Sequence, residues 1–127
     1  MNEEQSGYKL LGQGYNVLVL GKVEGAARNL TRPQDVVGLL ANSEAVKGTI
    51  IITPGGTTTF VAPLLSAGVK GVVTFAGTPE SHLGIVGRNF RIPIVMSLQM
   101  EEGATIPDGT HLMLDCTGKV GRVYARV

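Results

Sequence analysis

A chain of 127 residues suits one compact core, so a single domain spanning residues 1–127 is expected. A formal net charge of +1, with 3 Tyr, 3 Phe and no Trp, lacks both the basic field and the stacking platform that a nucleic-acid partner needs. No apolar run reaches the roughly 18 residues of a membrane span, and one cysteine, Cys116, allows neither an internal disulfide nor a thiolate metal cluster, which fits a cytoplasmic setting.

Glycine is the outlier. Its count of 18 is about twice the usual share of roughly 7%, and the glycines lie scattered between apolar runs. That pattern predicts many short elements joined by tight turns.

Residues 1–7 read as a loose polar lead whose acidic start does not resemble a secretory signal. Val17–Leu20 and Lys22–Glu24 read as strand pieces interrupted at Gly21. A short helix is expected over Leu30–Leu40, with Thr31 and Gln34 as a capping box and Pro33 at an early position where its missing N–H costs little. Thr49–Thr53, ended by Pro54-Gly-Gly56, predicts a strand buried on both faces. A helix over Thr57–Ala67 closes at Gly68, with Pro63 confined to its first turns or kinking it; Gly71–Phe75 is the next buried strand.

The stretch from Gly77 to Pro93 carries the candidate chemistry. A loop ends at Ser81, and His82 opens an apolar segment of helical length. The first-turn N–H groups of a helix lack intrahelical acceptors and carry partial positive charge, so an imidazole there stands beside an anion-friendly end. On position alone, a nucleophilic histidine and a plain capping histidine are both open. Ile94–Ser97 is a third strand, Pro107-Asp-Gly109 a turn, and Thr110–Asp115 with Val120–Tyr124 an antiparallel hairpin across Thr117-Gly-Lys119. The elements amount to a mixed α and β chain with β structure at both ends.

The weaker candidates have plainer readings. His111 is a surface or packed strand residue. Thr53-Pro-Gly-Gly-Thr57 lacks the lysine and spacing of a P-loop and reads as a turn. Thr57, Thr58 and Thr59 suit helix caps, Cys116 an inert thiol, and Asp108 and Asp115 turn positions; no set of acids has metal-ligand spacing. Ser81-His82 has no acid in sequence to complete a hydrolytic triad.

Several of these pieces together resemble a known family. Ile50-Ile-Ile-Thr-Pro54, Pro63-Leu64, Ala67–Thr74, Ser81–Arg88, Ile92-Pro93, Pro107-Asp-Gly109 and Gly118–Val123 are similar to the mobile, swivelling phosphohistidine domain of the PEP-utilising enzymes, the group that contains pyruvate phosphate dikinase and phosphoenolpyruvate synthase. Related domains occur in rifampicin phosphotransferase and phenylphosphate synthase. The likeness is close over residues 48–124 and loose over 8–47.

The resemblance implies an α/β fold: a swivelling β/β/α sandwich, a mixed sheet with crossover helices and a C-terminal β-hairpin. It implies a transferase unit in which His82 carries a phosphoryl group from ATP, held with Mg on an ATP-grasp-like partner domain or subunit, to an acceptor-substrate domain. No cofactor or metal would sit on this chain itself. Gly77, Glu80, Ser81, Leu83, Gly84 and Arg88 would bind phosphate or support the site. The initial Met1 and the lack of visible linkers favour a separate subunit over an excised domain. Glu80 stands where many members carry Thr, and Gly87 replaces the usual Ala or Ser; the alternative is a regulatory or binding module that kept the fold without turnover.

Overall fold

A computed structural model of the chain describes residues 4–5, 7–30, 33–41, 43–54, 64–77 and 82–126, with backbone alone at positions 4, 5, 33, 36, 40, 43, 82 and 83. In chain order the elements are β1 (Glu4–Gln5), β2 (Tyr8–Asn16), β3 (Lys22–Asn29), α1 (Pro33–Leu40), α2 (Ser43–Lys47), β4 (Thr49–Thr53), β5 (Gly71–Thr74), α3 (His82–Phe90), β6 (Ile94–Met100), β7 (His111–Asp115) and β8 (Val120–Arg126). Residues 64–67 are also helical.

The strands run in the order β1-β2-β6-β5-β4-β3-β7-β8, and β8 returns to pair with β2. The ring is therefore closed. β2, β6, β5, β4, β3, β7 and β8 make a seven-stranded mixed barrel, parallel across β3–β4–β5–β6 and antiparallel elsewhere. Closure removes the unpaired edges an open sheet would expose. β1 is a short addition at the start of β2, pairing Glu4 with Lys9 and Gln5 with Tyr8.

Side-chain alternation along the strands builds two apolar layers from one sheet. Ile50, Ile52, Val73 and Val95 fill the barrel with Leu112, Leu114 and Val123. Their neighbours Ile51, Val72, Ile94 and Met96 point outward and are covered by Leu39 of α1, Val46 of α2, and Leu64 and Leu65. β4 is buried along its whole length, as its nearly all-apolar run requires. Each aliphatic side chain fully buried this way is worth about 1.5–3 kcal/mol.

The barrel overturns the expected sandwich with crossover helices. Among the described residues strand exceeds helix, the helices are short at nine residues or fewer, and the two β-rich ends belong to the same closed sheet as the central strands. The reason lies in the edges: β2 pairs with β6 and with β8, and those contacts join residues 79 to 118 positions apart. Local pattern carries no information about which edges meet.

Two smaller expectations also change. Glu4–Gln5 is paired, so the lead is not wholly loose. The first long strand is Tyr8–Asn16 and the next Lys22–Asn29; Val17–Leu20 is a connection whose Val17 drops into the outer core. The strands expected over Thr49–Thr53, Gly71–Phe75 and Ile94–Ser97 form as Thr49–Thr53, Gly71–Thr74 and Ile94–Met100, the last longer by three residues, and the C-terminal hairpin forms as well. The helix expected over Leu30–Leu40 spans Pro33–Leu40, while its capping Thr31 lies outside the described residues.

Candidate functional site

The parallel strands β4, β5 and β6 point their carboxyl ends the same way. From the end of β5 the chain turns through Phe75 and Ala76, with Thr74 donating its hydroxyl hydrogen to the Ala76 carbonyl at 2.7 Å. Gly77 follows with a φ of 101°, a left-handed conformation that favours glycine. Helix α3 then opens at His82.

Two contacts hold this loop and helix on the barrel. Ser97 of β6 donates its hydroxyl to the Gly77 carbonyl at 2.5 Å, tying the start of the loop to the neighbouring strand. Ser97 itself has a φ of 53° and sits in a β-bulge, where Gln13 pairs with Gln99 but Tyr15 pairs with Met96. The bulge presses on β2: a side chain at Gly14 would collide with the Met96 carbonyl. Further along α3, Gly87 is buried against β6, and a Cβ there would run into Ile94 Cδ1 and lie 3.2 Å from Cγ1. Gly87 thus lets helix and strand approach closely.

The far end of α3 closes with a Schellman turn. The Arg91 N–H donates to the Arg88 carbonyl at 3.1 Å and the Ile92 N–H to the Gly87 carbonyl at 3.0 Å, with Arg91 left-handed at φ 55°. Gly68 (φ 95°) closes the helical residues 64–67 with the same pair of bonds.

Of the sequence candidates, Gly77, the backbones of His82 and Leu83, Gly84 and Arg88 fall on this loop and helix, whereas Glu80 and Ser81 lie outside the described residues. Gly84 is buried and Arg88 half-buried. Thr57, Thr58 and Thr59 also lie outside the described residues. His111 is remote in kind: its Nε2 meets Glu24 Oε1 at 2.7 Å on the outer wall, and Tyr8 donates its phenol to the same carboxylate oxygen. Hydrogen bonds from His111 and then from Tyr8 hold the Glu24 carboxyl below the usual carboxylate range.

Asp108 does more than turn the chain. Its Oδ1 accepts from the backbone N–H of Asn29 at 2.7 Å and from the Asn29 side-chain amide at 2.8 Å, which lowers its pKa and locks the end of β3. Asp115 caps the hairpin turn through Thr117, with a 2.6 Å bond from the hydroxyl. Burial, then Asp115, pushes the Cys116 thiol up to about 12, so it is neutral and inert. Among the described residues no group of His, Cys, Asp and Glu could hold a metal ion, and no helix is long and apolar enough to cross a membrane.

Sequence reasoning missed Ser97. It reads as an ordinary residue of an apolar strand, and serine is not a left-handed former; the glycine facing it at position 14 was the available hint.

A sequence model of a family described as PEP-utilising enzyme, mobile domain, matches residues 45–119. A search of curated proteins finds no match. Among solved structures, one described as a muramoyltetrapeptide carboxypeptidase from Oxalobacter formigenes is similar over 96% of this chain, with a TM-score of 0.57 and 13% identity. The chain spans 51% of that protein's length, and at this identity the likeness is one of fold alone.

Proposed function

The chain belongs to the PEP-utilising enzyme mobile-domain family, and from that premise we propose that it is the phosphoryl-carrying unit of such an enzyme, with His82 as the carrier. The family sets the chain in a phosphotransferase context in which it is one domain of the working enzyme. The observation that carries the proposal is the position of His82: inside the matched span and first in a nine-residue helix that follows a loop from a parallel strand.

A neutral imidazole suits the task, since its ordinary pKa of about 6.5 leaves it largely unprotonated near neutral pH. In the first step a ring nitrogen attacks a phosphorus of the nucleotide, the new N–P bond forms and the bridging P–O bond breaks to release the shortened nucleotide. In the second, an acceptor oxygen attacks the same phosphorus, the N–P bond breaks and the imidazole returns to its neutral form. The first-turn amides at His82, Leu83 and Gly84 stabilise the held phosphate, and Gly77 lets the preceding loop turn without a side chain in the way. Ser81 and Glu80 are assigned to the same site on the family likeness, and a carboxylate at position 80 repels an incoming polyphosphate. Arg88 lies about 9 Å along the helix axis from His82 and acts on structure.

The nucleotide, ATP with Mg, belongs to an ATP-grasp-like partner domain or subunit, and the acceptor to a separate one, in the cytoplasm. Phe75, 42% exposed at the end of β5, and Ile85, 47% exposed one turn beyond His82, offer apolar surface for such docking.

The test is labelling with ATP in the presence of the nucleotide-binding partner. We expect acid-labile, base-stable label on the wild type and on His111→Asn, and none on His82→Ala. Absence of label on wild type with a partner shown to be active would favour a regulatory module that kept the fold without turnover.

A further inference from the structure

On the outer wall, where β2, β6 and the β7–β8 turn meet, lies an open groove of about 580 Å³, within the range of small-molecule sites. Gln13 and Tyr15 line it from β2, Ser97 and Gln99 from β6, Lys119 from the turn and Val120 from the start of β8.

Three features mark it as a built site. The charge is one-sided: among the described residues that line the groove, Lys119 is the single charged one, and none is a carboxylate. Tyr15 and Val120 keep 55% and 40% of their surface exposed, so a phenol face and an isopropyl group border the lysine, and the Gln13 and Gln99 side-chain amides line the same groove. The wall is also shaped by strain. Ser97 holds a left-handed conformation in a bulge, a device found preferentially beside functional sites, and Gly14 makes room for that bulge.

We propose that this groove binds a small planar organic anion of the aromatic monocarboxylate class. The carboxylate pairs with Lys119 at the turn. The ring lies against Tyr15 and Val120, and the Gln13 and Gln99 amides fix its edge. Ser97 joins the groove to the Gly77 carbonyl, so an occupant is felt at the start of the loop leading to His82. Occupancy needs no phosphoryl transfer, so this site and the carrier role fail separately.

The experiment titrates benzoate into the whole chain and follows backbone amide resonances. Saturable shifts are expected at Gly14, Tyr15, Ser97 and Lys119, with a smaller one at Gly77. Lys119→Gln, a change at an exposed turn whose folding the same spectra verify, should weaken binding by about tenfold, the loss of one charge-assisted contact. Benzamide, which keeps the ring without the charge, should bind wild type more weakly by a similar factor. Unsaturable or absent shifts, equal binding of benzamide, or benzoate affinity unchanged in Lys119→Gln would each overturn the proposal. Inorganic phosphate moving Lys119 as strongly as benzoate does would overturn it too, because the ring would then contribute nothing.

Discussion

Glu24 shows how much one exposed carboxylate can gather. It receives hydrogen bonds from His111 on β7 and Tyr8 on β2, with Arg126 of β8 adding a favourable charge. Its lowered pKa means the fold gains stability above the unfolded carboxyl value of 4.5 and loses it as pH falls through the folded value. The Tyr8 phenol is raised above 10.0, first by its bond to Glu24, so that contribution is present below 10.0 and fades as pH rises through the folded value. In Glu24→Gln the stability gap to wild type should therefore shrink as the solution is acidified below the carboxyl range. Denaturation midpoints across that range measure it, and a gap constant with pH would refute the linkage. The effect is small because solvent screens both groups.

At the scale of elements, helix α3 was visible in sequence as an apolar segment opened by His82, yet the tightness of its packing was not. Gly87 reads locally as a weakness of about 1 kcal/mol relative to Ala. Against β6 it is the position that admits Ile94, whose side chain would collide with any Cβ there. Gly87→Ala should thus destabilise by about 1 kcal/mol, overpacking outweighing the gain in helix propensity. Ile94→Val alone should cost about 0.5–1.5 kcal/mol, and the double variant less than the sum, by about 0.5 kcal/mol or more. Additive chemical-denaturation energies would show that helix and strand do not press on each other.

The cap of the same helix is argued in the same way. Arg91 holds a left-handed conformation that costs an L-residue about 1 kcal/mol or more, while glycine brings its own entropy cost of about 0.4–1 kcal/mol. Arg91→Gly should raise stability by about 0.5 kcal/mol and Arg91→Val lower it, read as opposite shifts in denaturation midpoint. Movement of both in one direction would mean the Schellman turn is not what ends α3.

At the scale of the whole molecule, strand and helix positions followed from residue order because burial on both faces, Pro-Asp-Gly chemistry and capping glycines act within a few residues. Thr49–Thr53 and the β7–β8 hairpin are the clearest cases. The family too was legible in residue order, through motifs around Ser81-His82 and the strands before them. Closure of the sheet, by contrast, emerges in the folded chain. It comes about through β2, which uses one edge for β8 and the other for β1 and then β6. In the folded chain, too, Ser97 reaches Gly77 and Asp108 locks Asn29, 79 positions away. These are pairings between distant segments, selected by shape and by the need to satisfy buried backbone groups. No short window of residues encodes them.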